Sequence, residues 1–429
     1  MKIAIDARMY GESGIGRYIR NLISELQKLD NRNEYFLILL EKDFYSDTDE
    51  LLKRLPRFAS NDEKKDSGVT SFPRMTKVMG DFRWYTIREQ IELPRILNKI
   101  KPDLVHFPHF NVPLWYGGKF IVTIHDLIHQ HFQMKRVTTL DPFTFKLKQI
   151  GHKTIFKKAV KDSMKIFTPS QFVKKQLADE WNVNGMKIKV TPEAVDDILL
   201  SIDNKMNDRK INRVMEKFGI RLPYIFYIGN AHPHKNVEGL IKAFLKLQNK
   251  ESEINGIRSA SRTEILRSAQ NDSGGELQLV LAGTDNYFWQ KLKSSVISHQ
   301  PSDIIFTGFV TDEELVALYK NAEAFVMPSF EEGFGIPLLE AMAVGCPVVS
   351  SNAGALKEVG GDAAIYFNPA SPRHPERSEG SIEMAEKILE VLTNEKLREE
   401  LIKKGMMRAK QFSWKKMAEQ TLEVYKRCV

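Results

Sequence analysis

Pro328-Ser-Phe-Glu-Glu-Gly-Phe-Gly-Ile-Pro-Leu-Leu-Glu-Ala-Met-Ala343 is the stretch on which the fold is decided. The apolar run Ala324 to Met327 before it reads as a buried strand that stops at Pro328. A loop with Glu331, Glu332, Gly333 and Gly335 follows, and Pro337 then opens a helical pattern. Proline suits the first helical position because its missing N–H would be unpaired there anyway. Gly333, Gly335 and Ile336 are therefore expected at a helix N-terminus, where backbone N–H groups can hold an anion. Glu332 is placed just outside that terminus and Glu340 in the helix's first turn. The layout suits a ligand that carries a phosphate with hydroxyls on either side. The plainer alternative is a buried strand-to-helix turn with one exposed acid.

Outward from this stretch, 429 residues exceed what one core organises, so two domains are expected. The chain is 42% hydrophobic and 28% charged, and no apolar run approaches the ~18–20 residues of a membrane span. Met1-Lys-Ile-Ala-Ile-Asp6 passes straight into a strand pattern without the features of a signal peptide. Cys346 and Cys428 exclude a disulfide framework and fit a reducing cytoplasm; Cys346, in Gly-Cys-Pro-Val-Val, is expected in the core. A formal charge of +8 points to nucleic acid, an anionic membrane surface or phosphate-bearing small molecules. Nucleic acid is the weakest of these, since no basic-aromatic stripe or zinc pattern occurs.

Lys2 to Ala7 reads as a strand, Gly11 to Gly16 as a glycine-rich loop, Arg17 to Leu29 as a helix and Glu34 to Leu40 as a buried strand. That order is a βαβ unit. Phe82 to Ile100 reads as a helix, and Asp103 to Phe107 and Phe120 to Ile124 as strands, the second ending in His125-Asp126. Phe143 to Lys165 is an amphipathic segment rich in lysine. Ile166 to Thr168 and Lys187 to Thr191 are further strands around a helix Gln171 to Trp181, and the polar residues 201–215 read as the joint between halves. Tyr224 to Gly229 restarts the pattern, followed by a helix Val237 to Leu247 and strands at Leu277 to Ala282, Ile304 to Thr307, Ala324 to Val326 and Pro347 to Ser350. Strands alternating with helices in both halves predict two doubly wound parallel sheets. Residues 60–70 read as a loop, and Glu251 to Gly275 and Ser371 to Gly380 as flexible insertions without catalytic duty. A helix from Phe412-Ser-Trp to Cys428 closes the chain.

Chemistry gathers at the strand ends. Tyr227-Ile-Gly-Asn230 leads to Ala-His-Pro-His-Lys-Asn236, with Asn236 an expected N-cap. Lys235 is a point charge at a carboxyl strand edge, where open α/β sheets bind ligands. It can neutralise a phosphate as that group's charge grows on departure, or be merely a solvated surface lysine. His125 at another strand end is a candidate of the same kind, set against a purely structural role. Gly14-Ile-Gly16 lacks the third glycine of a dinucleotide fingerprint, Ile19 standing in its place. It reads better as backbone that approaches a ligand closely. His106, Phe107, His109 and Phe110 either line an acceptor or pack as partly buried aromatics, and the two histidines lack an obvious third metal ligand. Asp47-Thr-Asp49 matches a metal-binding Asp-x-Asp motif but follows no strand, and reads as chance.

Together these residues resemble glycosyltransferase family 4, the retaining enzymes of GT-B fold, over nearly the whole chain except the two insertions. The most specific match is Glu332-Gly-Phe-Gly-Ile-Pro-Leu-Leu-Glu340 with Ala-Met-Ala-x-Gly-x-Pro-Val-Val after it, similar to the family's Glu-x7-Glu motif. Gly354-Ala-Leu-Lys-Glu-Val, Gly308-Phe-Val, Thr123-Ile-His-Asp-Leu127 and Gly14-Ile-Gly-Arg-Tyr18 add smaller matches.

The resemblance implies two Rossmann-like domains, 1–205 on the acceptor side and 206–429 for the nucleotide sugar, with helix 412–428 crossing back to the first. It implies that Glu340 binds the donor ribose and that Gly333, Phe334, Gly335 and Ile336 cradle the diphosphate. Glu332 would bind hydroxyls of the transferred sugar, and Lys235 would neutralise the leaving diphosphate. His125 would contact the sugar, oriented by Asp126, with Asn236 supporting Lys235. Gly16 would give close access to the diphosphate, and the backbone near Phe309 and Val310 would receive the base. The family often carries arginine where this chain has Asn230, which leaves Lys235 alone or aided by another cation such as Arg17.

The expected activity is metal-independent, retaining transfer of a hexose, mannose favoured, from a GDP- or UDP-linked donor. The expected acceptor is a glycan or lipid-linked intermediate of cell-surface polysaccharide. No cofactor and no nucleic acid are expected. The expected location is cytoplasmic, extended by peripheral contact of the basic 146–165 segment with an anionic inner membrane face. The rivals are a UDP-hexose transferase with another acceptor, a GT-B epimerase or phosphorylase, a Rossmann oxidoreductase and a non-catalytic nucleotide-sugar sensor.

Overall fold

A computed structural model describes residues 1–12, 14–45, 74–132, 142–248, 276–297, 302–369 and 379–428. Asp47 and Asp49, the expected loop 60–70, the insertion 251–275 and residues 371–378 of the second insertion lie outside them.

The first sheet holds β1 (Lys2–Asp6), β2 (Glu34–Leu39), β3 (Arg74–Met79), β4 (Leu104–Phe107), β5 (Phe120–Thr123), β6 (Ile166–Thr168) and β7 (Ile188–Val190). Their order is β3-β2-β1-β4-β5-β6-β7, and every neighbouring pair is parallel. The second sheet holds β8 (Tyr224–Ile228), β9 (Gln278–Ala282), β10 (Ile304–Gly308), β11 (Ala324–Met327), β12 (Val348–Ser351) and β13 (Ile365–Phe367). It runs β10-β9-β8-β11-β12-β13, again parallel throughout. Strands buried on both faces need continuous apolar sequence, and β4, β5, β9 and β11 are buried at every residue. Truncating one such residue, Leu281, to alanine is expected to cost about 2–5 kcal/mol.

In each sheet the strand order reverses direction once, between β1 and β4 and between β8 and β11. Such switch points open a crevice at the carboxyl ends of the strands, because the connections on either side lead away from each other. The described fold is GT-B: two parallel-sheet α/β units of this kind.

Packing divides the chain after Glu193. Met1–Glu193 with Ser413–Val429 form one unit and Ala194–Phe412 the other. The polar residues 201–215, read as a joint, instead fall largely in two capped helices, Asp197–Asp203 and Asp208–Phe218. The second of these buries Ile211, Val214 and Met215 and packs on the helix Asp312–Asn321. The last helix, Trp414–Cys428, lies against the helix Gly14–Leu29 of the first unit.

Other departures have local causes. The helix expected from Phe82 begins at Ile87, because Thr86 is its N-cap and accepts from Glu89 N at 3.2 Å. The strand β3 escapes a pattern search because Lys77 sits on its buried face; its ammonium donates to the Phe44 carbonyl at 2.8 Å. Glu379 and Gly380, assigned to an insertion, open the helix Glu379–Thr393.

Candidate active site

In the second unit, two loops meet at the switch point. The loop after β8 contains a short 3-10 turn, Pro233–Lys235, and ends at Asn236 with φ 54°. The loop after β11 is tied to it twice: Asn236 Nδ2 donates to the Pro328 carbonyl at 3.0 Å, and Phe330 N to the His234 carbonyl at 2.7 Å. These ties bring Lys235 Nζ to 2.6 Å from Glu332 Oε1. Ser329 Oγ donates to the same oxygen at 2.6 Å, and Ser351 Oγ holds the Ser329 carbonyl at 2.6 Å. Both charged groups are largely covered, the lysine side chain 17% exposed and the glutamate 8%. The pair is thus a largely covered ion pair at one strand edge.

The backbone around Glu332 is equally constrained. Ala355 N donates to its carbonyl at 2.9 Å, and Gly354 (φ 61°) rests on it so closely that a Cβ would lie 2.5 Å from Glu332 N and O. Gly354-Ala-Leu-Lys is therefore the seat on which Glu332 sits. The helix Ile336–Ala343 follows, with Gly335 (φ 101°) as N-cap and Pro337 at its second position. Starting one residue earlier than expected moves Glu340 out of the first turn into the second. Glu340 is 1% exposed and accepts from Tyr319 Oη at 3.1 Å. Gly333 lies in the loop, and Phe334 is buried, its ring edge-on to Phe412 at 5.6 Å. Phe309, 71% exposed, and buried Val310 follow β10, just before the capping box of the helix Asp312–Asn321. Asn230 is exposed and forms a local turn, its Oδ1 accepting from His232 N at 3.2 Å.

In the first unit, Gly14 and Gly16 lie inside the first turn of the helix Gly14–Leu29, which begins three residues before Arg17. A Cβ on Gly16 would stand 2.5 Å from the Tyr10 carbonyl oxygen and 2.8 Å from that of Met9. The close approach there is made by the chain's own backbone, and this alone requires glycine. Tyr18, one turn on, donates to or accepts from Thr123 Oγ1 at 3.1 Å and places its ring edge against His125 at 4.9 Å.

His125 has both ring nitrogens engaged: Nδ1 with Glu193 Oε1 at 2.8 Å and Nε2 with the Pro108 carbonyl at 3.0 Å. A carbonyl and a carboxylate only accept, so both nitrogens donate and the ring is an imidazolium. Burial opposes that charge, but the Glu193 hydrogen bond and charge, the Pro108 carbonyl and the Asp126 charge outweigh it and raise the pKa above 6.5. The orienting carboxylate is therefore Glu193, not Asp126. Asp126 Oδ1 instead accepts from Ile128 N at 3.0 Å and starts a short helix. Sequence reasoning missed Glu193 because sixty-odd residues separate it from His125; only its place after β7, beside β6 and β5, hints at the meeting.

Beneath His125 runs a buried chain: Tyr425 Oη to His106 Nδ1 at 2.6 Å, then His106 Nε2 to Thr123 Oγ1 at 2.8 Å. His106 thus serves as support rather than lining. At the β1/β4 switch point a depression is lined by Asp6, Trp84, Pro108, His109 and Asn111 among others. Arg8 beside it is 2% exposed and clamped by Asp6 at 2.7 Å and Glu89 at 2.5 Å.

Each unit thus sets charged side chains at the carboxyl ends of its parallel strands, Lys235 and Glu332 in the second and His125 and Glu193 in the first, on a fold of GT-B type. The family model for glycosyl transferases group 1 matches residues 208–408, and that for glycosyltransferase family 4 matches residues 13–198. Between them they cover most of the chain, which belongs to the family-4 glycosyltransferases. O-antigen chain mannosyltransferase B of Escherichia coli is 27% identical over 99% of this chain and 100% of its own length. O-antigen chain mannosyltransferase RfbU of Salmonella typhimurium is 26% identical over 84% of each. The crystal structure of Anabaena Alr3699/HepE in complex with UDP and glucose covers 100% of both chains with a TM-score of 0.66 at 15% identity, a likeness of fold. Among the described residues no helix is long and apolar enough to cross a membrane.

Proposed function

We propose that this glycosyltransferase moves a hexose, mannose favoured, from a nucleotide-diphosphate sugar to a glycan or lipid-linked acceptor in cell-surface polysaccharide synthesis, with retention and without a metal. The Lys235–Glu332 pair at the β8/β11 switch point carries this reading. A diphosphate that takes Lys235 as its counter-ion releases Glu332, whose carboxylate then accepts hydroxyls of the transferred sugar. The N-terminus of the helix Ile336–Ala343 adds its partial positive charge to the same phosphate. Glu340, held by Tyr319, is assigned the ribose hydroxyls. The O-antigen mannosyltransferases among the relatives support mannose and polysaccharide; GDP is the favoured nucleotide, with UDP the alternative.

In the proposed step the bond from the anomeric carbon to the phosphate oxygen breaks, and its electron pair stays on that oxygen. The acceptor hydroxyl attacks the same face, and its proton passes to the departing phosphate oxygen. Lys235 stabilises the growing negative charge, and the N-terminus of the helix Ile336–Ala343 adds its partial positive charge. Each such term is worth on the order of several kcal/mol.

Incubating the purified protein with GDP-, UDP- and ADP-hexoses and following nucleotide release tests the donor. Proton NMR of the first product tests retention, and EDTA tests metal independence. Release from none of the donors, inversion at the anomeric carbon, or inactivation by EDTA reversed by a divalent cation would each remove its part of the proposal.

A further inference from the structure

One helix stands behind the loop 332–335 and its helix. Glu395–Ala409 packs on Ile336–Ala343, where Gly405 comes so near that a Cβ on it would stand 3.2 Å from Met342 Cγ. Its last turn carries Arg408, whose three guanidinium nitrogens are all engaged. Nε donates to the Val359 carbonyl at 2.8 Å, Nη2 to the Glu358 carbonyl at 2.7 Å and Nη1 to Gln411 Oε1 at 2.6 Å. Glu358 and Val359 belong to the end of the short helix Leu356–Gly360, where carbonyls lack intrahelical partners, so Arg408 caps that helix. The same guanidinium lies over Phe412, with Cζ 5.2 Å from the ring centroid.

Both groups that Arg408 holds reach the loop. At the start of the capped helix, Ala355 N donates to the Glu332 carbonyl at 2.9 Å, and Leu356 Cδ2 would stand 2.6 Å from a Cβ on Gly335. Phe412 sets its ring edge-on to Phe334 with centroids 5.6 Å apart, and Phe334, 5% exposed, sits between Gly333 and Gly335. The loop thus has two supports, and one guanidinium joins them. Gly333 and Gly335 have no side chain to pack, so the conformation of that segment must be fixed by its neighbours. Backbone N–H groups stabilise an anion best when they are aimed before it arrives.

We propose that Arg408 and Phe412 are positioning residues for the nucleoside-diphosphate site. Arg408 caps the seat under Glu332 and clamps Phe412 against Phe334, which presets the N–H groups of residues 333–336 for the diphosphate. The proposal rests on the nucleotide-sugar reading of that loop. Neither side chain is assigned a contact with the ligand; each acts by fixing the residues that make one.

Calorimetric titration of the full-length protein with GDP and with UDP tests this, on the parent and on R408Q, F412A, F412Y and L401A, well below the melting transition of each. L401A is the structural control, since Leu401 is buried on the same helix in the core of the second unit and is not one of the two supports. Circular dichroism melting confirms that each variant folds, and L401A is expected to melt lower for the loss of its core side chain. Diphosphate affinity is expected to weaken about tenfold or more in R408Q and in F412A, to stay near the parent's in F412Y, which keeps the ring, and to be unchanged in L401A. Parent affinity in either R408Q or F412A overturns the proposal. An L401A that binds as weakly as R408Q overturns it too, because any loosening of the helix would then suffice. So does an F412Y as weak as F412A, because the ring contact would then not be what matters. Should R408Q fail to fold, the pair F412A and F412Y decides alone. A parent that binds neither GDP nor UDP removes the nucleotide-sugar reading and the proposal with it, whereas parent binding with unaffected variants removes the proposal only.

Discussion

Lys235 Nζ and Glu332 Oε1 lie 2.6 Å apart across the β8/β11 switch point, with Ser329 Oγ donating to the same carboxylate oxygen. The lysine follows one strand and the glutamate another, and neither is held by a neighbour in sequence alone. Partnered in this way, both groups are largely covered, and the proposed function has an anionic ligand replace the carboxylate at the lysine.

Lys235→Ala is therefore expected to lower kcat by about 100- to 1000-fold, the usual effect of deleting one preorganised charge at a developing anion. KM for the nucleotide sugar is expected to change far less. Steady-state kinetics of nucleotide release checks this, and full turnover in the variant sinks the diphosphate assignment. Ser329→Ala removes one hydrogen bond to Glu332 and is expected to act in the same direction, by roughly tenfold or less.

Glu340 is reached by the Tyr319 hydroxyl at 3.1 Å and lies in the second helical turn. Glu340→Ala is expected to raise KM for the donor with a smaller change in kcat, as loss of uniform binding does. Tyr319→Phe is expected to reproduce a fraction of that rise. Calorimetric titration with the nucleoside diphosphate separates this from an effect on chemistry; unchanged affinity in Glu340→Ala rules out the ribose contact.

Glu193→Gln tests the charge on His125. Burial lowers that histidine's pKa, but the Glu193 hydrogen bond and charge lead the forces that raise it above 6.5. With a raised folded-state pKa, the pair contributes its full stability below about 6.5 and loses it as pH rises through the raised value. Activity that needs the imidazolium falls over the same range. Removing the Glu193 charge is expected to move the alkaline limb of the kcat profile to lower pH, and the imidazole proton resonances to titrate lower with it. An unmoved limb and unmoved resonances together would show that Glu193 has no hold on His125.

Tyr425→Phe leaves His106 Nδ1 without its 2.6 Å partner in a fully buried site. Urea unfolding is expected to show a loss of about 1–3 kcal/mol. Burial, with a lesser push from the nearby His125 charge, also lowers the His106 pKa from 6.5 to about 3. The unfolded chain then binds more protons between those values, so the parent's stability falls as pH drops from about 6.5 toward 3. A flat melting temperature across that interval contradicts the assignment.

Much of the site was legible because its parts are local. Glu332, Gly335, Pro337 and Glu340 fall within nine consecutive residues, and a strand-stop followed by a helix start is written in glycine and proline. Lys235 was legible for the same reason, standing between a strand and a helix. The partners were not. Glu193, Ser351, Tyr319 and Tyr425 carry no pattern of their own, and each meets its group only because parallel strands bring distant segments to one edge. Asp126 was the natural choice for His125 by adjacency, yet the next residue along a strand end points elsewhere, and its carboxylate caps a turn. Gly16 shows the converse: a glycine expected to admit a ligand is required by two carbonyls of the chain.

By itself the sequence determined two doubly wound sheets, the strand ends that bear charge and the helix terminus suited to a phosphate, since these follow from apolar runs, periodicity and turn residues that act over a few positions. Only the tertiary structure decided that Lys235 pairs with Glu332, that Glu193 meets His125 and that Tyr425 holds His106 from the last helix. Those choices depend on strand order, and strand order is settled by the joint burial of surfaces up to about a hundred residues apart rather than by any local preference.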